Sequence, residues 1–337
     1  MSICRLALAS AAVLTLLATA VAEELNHPTG STGLLLIDKV GAHVRFFDPR
    51  TFTERTNIKV PANPHDFALS PDHRFAYVPI YGAGVYGDNP NPAHEVYVFD
   101  LQQRSVSGVI DITPYRAPHG IQIDRSGTLY VAADVDRKLL VIDPVRRAIT
   151  ATIDTEGTGH WIAMLPDGSK LYVANKNDKP FVSVIDLKVR KMIGRVPAPN
   201  GTQGIAAAPD GSRVAAIDFG DPNVLVIDPK TDTVVDRIPL QGATRGAYKA
   251  YYSPDGRYFA TMGPGSQVNI FDAKNLRGEQ TVLKVGQNPM GFAFSADGNT
   301  MLVANHGDGS VSVIDLRTRR IMSSFTGGTG IETLTWY

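Results

Sequence analysis

Three histidines recur at one spacing along the chain. His65, His119 and His160 each lie seven residues before the turn of a short hairpin, counted from the turn aspartate or its equivalent. The same count in the later hairpins gives polar or sulfur-containing residues, and the apolar phase of the C-terminal segment adds one acidic residue: Gln203, Tyr248, Met290 and Glu332. Imidazoles that converge with a carboxylate or an amide form an N/O ligand set for Zn, Cu, Fe or Mn. The spacing therefore indicates a divalent transition-metal site on His65, His119, His160 and Glu332, with Gln203 as the alternative to Glu332 for completing the ligand shell.

Two alternatives stay open for the same histidines. They can bind a ligand without a metal, or they can bond to neighbouring strands and line a polar channel. The sequence has no H-x-H or H-E-x-x-H pair, so the metal ligands would have to come from separate repeats.

Other polar residues are predicted to share the face of these histidines. The segment Tyr81–Glu95 is rich in Gly, Pro and Asn, and such a loop is typical of a lid or a binding loop. It carries Tyr81, Tyr86 and His94, and His306 lies in a corresponding loop near the C-terminus. Arg116 and Arg245 precede two inner strands, where they would clamp a carboxylate or a phosphate. Together with Gln203 and Tyr248, these residues form the candidate ligand-binding set.

The elements that position this set come from a repeat. An apolar run that ends in aspartate occurs seven times, at Asp48, Asp100, Asp143, Asp186, Asp228, Asp272 and Asp315. The spacings are 52, 43, 43, 42, 44 and 43 residues. A period in the low forties with several short strands per period is typical of a β-propeller. The long first spacing is explained by the Tyr81–Glu95 insertion.

The two ends of the chain complete each other. The first repeat lacks an innermost strand, and the last residues, Ile331–Tyr337, form one strand with no partners after it. We therefore predict an all-β, seven-bladed propeller of four-stranded blades over residues 33–337, a single domain that the C-terminal strand closes against the N-terminal blade. The repeated terminal aspartates are expected to cap turns rather than to catalyse.

The repeats resemble a known family. Strand motifs such as LYVAN (171–175), VSVID (182–186 and 311–315) and SPDG turns are similar to those of YVTN-repeat, YncE-like propellers, which also share features with WD40 repeats. The resemblance covers the whole mature chain. It implies the propeller fold and an exported protein, but this family hosts unrelated functions.

Composition limits which functions and cellular locations are expected for this chain. Lys plus Arg equals Asp plus Glu at 33 each, and basic residues do not cluster with aromatic ones, so nucleic-acid binding is not expected. Residues 1–22 are typical of a secretory signal peptide cleaved between Ala22 and Glu23, followed by an N-terminal lead over 23–32. The only cysteine, Cys4, lies in that signal, so the mature chain would contain no disulfide and no thiol nucleophile. We expect a periplasmic or secreted monomer with no membrane span after cleavage.

Three function classes follow. The leading one is a propeller that binds a small ligand, a metal or a protein partner on the histidine-rich face of its central channel. The second is a metal-dependent lyase or oxidoreductase with these histidines as ligands. The third is an accessory subunit in periplasmic electron transfer or in haem or cofactor handling, because YVTN-like propellers resemble the haem-binding propellers of nitrite reductases, where a single axial histidine would be the signature.

Overall fold

The computed structural model describes residues 31–176 and 178–337, and within them the chain forms seven four-stranded antiparallel sheets. The predicted signal peptide, Cys4 and most of the predicted lead lie outside the described residues. The all-β seven-bladed propeller is confirmed. No helix among the described residues is long and apolar enough to cross a membrane.

The blades follow each other along the chain. Blade 1 contains β1 (Leu34–Asp38), β2 (His43–Phe47) and β3 (Glu54–Lys59). Blade 2 contains β4 (Ala68–Leu69), β5 (Phe75–Gly82), β6 (Pro92–Asp100) and β7 (Ser105–Asp111). Blade 3 contains β8 (Pro118–Ile123), β9 (Leu129–Ala133), β10 (Lys138–Asp143) and β11 (Ala148–Asp154). Blade 4 contains β12 (Ile162–Met164), β13 (Lys170–Val173), β14 (Phe181–Asp186) and β15 (Lys191–Pro197).

The second half of the ring has the same plan. Blade 5 contains β16 (Thr202–Ala207), β17 (Val214–Asp218), β18 (Asn223–Asp228) and β19 (Thr233–Pro239). Blade 6 contains β20 (Lys249–Tyr252), β21 (Tyr258–Gly263), β22 (Gln267–Asp272) and β23 (Thr281–Lys284). Blade 7 contains β24 (Pro289–Phe294), β25 (Thr300–Asn305), β26 (Ser310–Asp315) and β27 (Arg320–Thr326), and β28 (Ile331–Trp336) follows.

The C-terminal strand closes the ring as predicted. β28 pairs antiparallel with β1, so that Leu36 lies opposite Leu334 and Leu34 lies opposite Trp336. The first sheet therefore has the order β28-β1-β2-β3, with its innermost strand supplied by the other end of the chain. Closure pairs strands that would otherwise leave backbone groups unsatisfied at an open end.

Apolar packing between blades holds the ring together. The second and third strands of each blade are apolar on both faces, as in VLVID of β18, because both faces pack against neighbouring blades. Seven buried apolar clusters result, one at each contact between adjacent blades.

The repeated aspartates cap turns, as the sequence predicts. For example, Oδ1 of Asp143 accepts hydrogen bonds of 3.0 Å from the backbone N–H groups of Val145 and Arg146. Asp186 does the same for Lys188 and Val189 at 2.9 and 3.0 Å. These side chains satisfy backbone donors at the end of the third strand and are committed to structure.

Candidate functional site

Three imidazole rings form a stack at one mouth of the central channel. The ring centroids of His65 and His119 are 3.9 Å apart, and those of His119 and His160 are 4.2 Å apart. Each ring comes from the residues just before or at the start of the innermost strand of a successive blade, from blade 2 to blade 4. The repeat therefore places the three predicted histidines side by side, and we call them the histidine stack.

Hydrogen bonds define which nitrogen atoms of the stack are acceptors. Nδ1 of His119 lies 2.8 Å from the backbone carbonyl of His160 and must carry the proton, which leaves its Nε2 as a bare acceptor. That Nε2 is buried and has no hydrogen-bond partner among the described residues. Nε2 of His65 lies 3.0 Å from Nζ of Lys39, so the ammonium donates to it. In the stack, Nε2 of His65 is therefore paired, whereas Nδ1 of His65, Nε2 of His119 and Nδ1 of His160 have no hydrogen-bond partner among the described residues.

Burial keeps these histidines neutral. It lowers the pKa of His65, His119 and His160 well below the ordinary value, because a buried imidazolium loses its hydration. The ammonium groups of Lys39 and Lys249 lower the pKa of all three further through charge repulsion. A neutral imidazole offers a lone pair at ordinary pH.

Glu332 lies beside the stack, as its position in β28 predicts. It is fully buried, and its oxygens lie 3.8 Å from Nδ1 of His65 and 3.4 Å from Nδ1 of His306. Nζ of Lys39 is 3.7 Å from Glu332 Oε2. Neither carboxylate oxygen has a hydrogen-bond partner among the described residues. Lys39, which sequence reasoning missed, is therefore a cation shared by Glu332 and the histidine stack.

The insertion folds over the mouth. Tyr86 extends from blade 2 and places its ring 4.7 Å from the ring of His160, edge to face, while its hydroxyl donates to the backbone carbonyl of Thr158 at 2.7 Å. Nζ of Lys176 lies 4.8 Å from the centre of the Tyr86 ring on the side of blade 4. The insertion thus covers the stack, with contacts to blade 4, in the manner of a closed lid.

Tyr81 supports the stack from below the lid. Its ring packs edge to face on His119 at 5.3 Å, and its hydroxyl donates to Oδ2 of Asp134 at 2.7 Å. Burial raises the pKa of Asp134 to about 6, although the hydrogen bond from Tyr81 lowers it. Asp134 was not predicted as a site residue.

A second row of side chains lies one residue further along the same inner strands. It contains Asp66, Gly120, Trp161, Gly204, Lys249, Gly291 and Thr333. Nζ of Lys249 lies 3.7 Å above the centre of the Trp161 ring, and Trp161 in turn packs 4.9 Å from the ring of His119. The Trp161–Lys249 pair therefore forms a floor beneath the histidine stack.

Glycines make this floor possible. A Cβ on Gly120 would lie 2.5 Å from the backbone oxygen of His160, and one on Gly204 would lie 2.6 Å from Cα of Lys249. The lack of a side chain at these positions lets the inner strand of the next blade come close.

The other predicted residues lie outside the stack. Gln203 and Tyr248 occupy the expected rim positions in blades 5 and 6, but the three-histidine cluster does not extend to them. Nδ1 of His94 lies 2.8 Å from the backbone carbonyl of Tyr115. Arg116 pairs with the carboxylate of Asp136 at 2.7 Å.

Neither predicted anion clamp is assembled. Arg116 has its own carboxylate partner, because the turn after β9 presents Asp136 next to it. Arg245 is exposed and donates a long hydrogen bond of 3.5 Å to the hydroxyl of Tyr248. The two arginines do not converge on the stack.

The geometry does not favour the predicted metal. Among the described residues, no group of three or more His, Cys, Asp or Glu side chains is arranged to hold a metal ion. The planes of adjacent rings are inclined by 44° and 35°, and the ammonium of Lys39 occupies the lone pair of His65 Nε2. A divalent metal on His65, His119, His160 and Glu332 stays a prediction without support from this arrangement.

Comparisons with known proteins agree on the fold and point to haem-related relatives. Residues 217–328, about a third of the chain, match the family model of the Cytochrome D1 heme domain. A dihydro-heme d1 dehydrogenase of Pseudomonas aeruginosa is 33% identical over 103 residues, which cover 30% of this chain and 20% of that protein. A WD repeat-containing protein SL1-17 of Schistosoma mansoni is 27% identical over 161 residues, which cover 47% of this chain and 51% of that protein. The chain therefore spans about half or less of these curated relatives.

A solved structure has the same architecture over most of the chain. Hydrazine synthase of Kuenenia stuttgartiensis aligns with a TM-score of 0.66 at 20% identity and covers 82% of this chain and 91% of that chain. At this identity the likeness establishes the fold alone. The WD-repeat-like similarity agrees with the propeller fold, and the match to the Cytochrome D1 heme domain is limited to residues 217–328.

The haem that this similarity implies does not fit the mouth as it stands. An axial histidine needs a free nitrogen that faces a flat space wide enough for a porphyrin. Nε2 of His119 is free, but it has no accessible surface, since Tyr81, Tyr86 and Trp161 surround its ring. The wider cavity on the far side of the floor is lined by no histidine among the described residues. We therefore derive no step through a haem.

Proposed function

We propose that this chain is an exported propeller of the YVTN type that binds a small polar ligand at the mouth of its channel. Because Nε2 of His119 has no accessible surface under the closed insertion, the ligand would enter when the insertion moves away from the histidine stack, and its hydrogen-bond donor would then meet that nitrogen. The observation that carries this proposal is the buried, bare lone pair of His119 under a lid. A buried acceptor without a partner costs stability, so its retention at a channel mouth favours a role in binding.

The surroundings of His119 define the ligand further. The aromatic rings of Tyr81, Tyr86 and Trp161 would exclude water from it, and Lys39 would offer an ammonium at one side. Such a site suits a small polar molecule with a hydroxyl or amine donor. The low pKa values leave no imidazolium to act as a general acid at neutral pH, and the bare lone pair of His119 is enclosed by aromatic rings, so we favour binding over catalysis.

Native mass spectrometry of the full-length protein, exported by its native host, tests the proposal. We expect the wild-type protein to carry a co-purified small molecule, and His119→Asn to lose it. His73→Asn is the matched control, because His73 is exposed in a hairpin on the opposite face and has the left-handed backbone that asparagine tolerates. Wild-type protein at the bare polypeptide mass, or an adduct that His119→Asn retains, contradicts the proposal. Metal analysis of the same sample would detect a metal in place of an organic ligand.

A second function is favoured by the family-model match. We infer from the similarity of residues 217–328 to the Cytochrome D1 heme domain that the chain could act as an accessory protein in cofactor handling, with a protein partner in the same compartment. The closed mouth predicts that haemin added to the full-length protein gives no saturable, histidine-ligated Soret band. A band that His119→Asn abolishes and His73→Asn keeps would show that the insertion opens, and would favour this second function.

A further inference from the structure

A cavity lies on the other side of the Trp161–Lys249 floor. Its volume is about 780 Å³, within the range of about 300–1,000 Å³ that small-molecule sites have. Its inner end is formed by Asp66, Trp161 and Lys249, and its outer end by the hairpin turns that contain Arg125 and Asp167. It is therefore reached from the hairpin face, opposite the insertion, and is separate from the mouth that holds the histidine stack.

Lys249 is a buried cation without an anionic partner. It is 2% exposed, and its Nζ has no hydrogen-bond partner among the described residues. The face of Trp161 offsets part of the lost hydration through a cation–π contact at 3.7 Å. Burial nevertheless lowers the pKa of Lys249, which shows that the carboxylates of Glu332 and Asp66 do not compensate it fully. Nζ itself is buried, so the Lys249 side chain would turn from the Trp161 ring into the cavity to meet an anionic group there, which would supply the missing partner.

Asp66 lies at the same end of the cavity and is an acid with an unusual pKa. Burial and, to a smaller extent, the charge of Glu332 raise its pKa, whereas Lys249 and the backbone N–H groups of Phe67 and Ile121 lower it. The resulting pKa is about 7. A protonated Asp66 would donate a hydrogen bond to a bound anion, and an ionised one would repel it.

Apolar side chains form part of the walls between the two ends. Side chains of Phe67, Ile123, Met164 and Tyr252 line the cavity and are only partly buried. The outer end holds both signs of charge, because Arg125 is accompanied by acidic turn residues. One charged head at the inner end and an apolar body along the walls therefore match the cavity.

We propose that this cavity binds a small organic acid with a single carboxylate, which lies on Nζ of Lys249 while its apolar body packs along the channel wall. The site is distinct from the proposed ligand site on the histidine stack. It takes an amphiphilic monocarboxylate, and it binds this anion together with the proton on Asp66.

Calorimetric titration of the full-length protein with decanoate tests whether the carboxylate of the ligand pairs with Lys249. We expect saturable binding, with decan-1-ol weaker by about ten- to a hundredfold because it lacks the charged head. Lys249→Met should weaken decanoate by a similar factor, and Arg125→Met, at the outer end, by less than about threefold. If Lys249→Met does not fold, Lys249→Arg provides a second variant. It keeps the positive charge and should retain decanoate binding. No saturable binding of decanoate, or equal binding of decan-1-ol, overturns the proposal.

The pH dependence tests the role of Asp66. Decanoate affinity of the wild-type protein should fall above about pH 7, by up to tenfold per pH unit, since bound anion holds one proton on Asp66. Asp66→Asn should remove this dependence, although Lys249, Glu332 and Tyr251 still face the position. An identical pH profile in the variant overturns the coupling. His119→Asn should leave decanoate binding unchanged, so the cavity and the mouth are tested independently.

Discussion

Acid should destabilise this propeller through the histidine stack. The three imidazoles are neutral in the folded protein, with pKa values well below the ordinary value of 6.5. In the unfolded chain each histidine takes up a proton at its ordinary pKa. The unfolded state therefore binds more protons as the pH falls below about 6.5, and folding loses stability until the pH reaches the pKa values of the folded state.

The size of this loss in the free energy of unfolding depends on how many groups take up protons in each state. Each group contributes about 1.4 kcal/mol per pH unit within that window, so three groups remove about 4 kcal/mol per unit. Asp66 opposes them, because its raised pKa lets the folded protein keep a proton that the unfolded chain releases between about pH 4 and pH 7. Asp134 acts in the same direction below about pH 6. Because the histidines of the unfolded chain are already half protonated at pH 6.5, the three together remove about 3 kcal/mol between about pH 6.5 and pH 5.5. Asp66 and Asp134 return about 2 kcal/mol, so the net loss is about 1 kcal/mol, compared with total stabilities of about 5–15 kcal/mol for a domain.

Urea unfolding followed by tryptophan fluorescence measures this difference. We expect the wild-type protein to lose more free energy of unfolding on acidification than a variant with His65→Gln, His119→Gln and His160→Gln. His73→Gln is the control, because that exposed side chain should leave the pH dependence intact. Equal losses in the wild-type protein and the triple variant would refute the assignment of neutral, buried imidazoles. If the triple variant does not fold, imidazole NMR of the wild-type protein provides the same test, since the three stacked rings should stay neutral at pH values below 6.5, the ordinary pKa of an imidazole.

Three other predictions concern the ring and its supports. Removing Ile331–Tyr337 deletes the innermost strand of blade 1 and four buried apolar side chains, a loss of about 6–12 kcal/mol that should abolish cooperative unfolding; an unchanged melting temperature would contradict closure. Gly204→Ala should lower the free energy of unfolding in urea by about 1–3 kcal/mol, because the added Cβ would lie 2.6 Å from backbone of the next blade. Gly194→Ala, whose Cβ would have 3.7 Å of clearance, should be neutral or slightly stabilising. Equal effects of the two changes would be inconsistent with the close approach of the inner strands. Tyr81→Phe removes the hydroxyl that donates to Asp134, and it should lower the free energy of unfolding by about 1–3 kcal/mol at neutral pH. The loss should be smaller at about pH 5, where Asp134 is protonated, and a loss that does not depend on pH would argue against this hydrogen bond.

The fold could be predicted because its signals are local and repeated. Each blade has an apolar run that ends in a turn-capping aspartate, such as Asp143 or Asp186, and the repeat length fixes four strands per blade. Closure by Ile331–Tyr337 followed from counting strands, without knowledge of any long-range contact. The alignment of repeats also brought His65, His119 and His160 to one position, and their rings do lie together.

The rest of the site depends on information that a repeat does not contain. Lys249 and Trp161 lie one residue beyond the aligned histidine row, and reading that next column would have found them, since it alternates glycines with large or charged residues. The direction in which a side chain points is harder to predict from the repeat, because it is set by partners elsewhere in the chain. Arg116 could have faced the channel, but the neighbouring turn offers it Asp136.

Lys249 connects the two halves of the channel, and this connection gives a last prediction. Burial is the main reason for the low pKa of His65, but the charge of Lys249 lowers it as well, through the floor of the channel. Neutralising that charge by Lys249→Met should therefore raise the pKa of His65 toward its ordinary value, while burial keeps it below. Imidazole NMR of the full-length protein would detect the shift, with Arg125→Met as the control for a charge that lies at the far end of the cavity. A His65 ring that titrates alike in both variants would mean that the floor screens the two sites from each other. The predicted shift would mean that an anion bound on Lys249 also raises the pKa of His65.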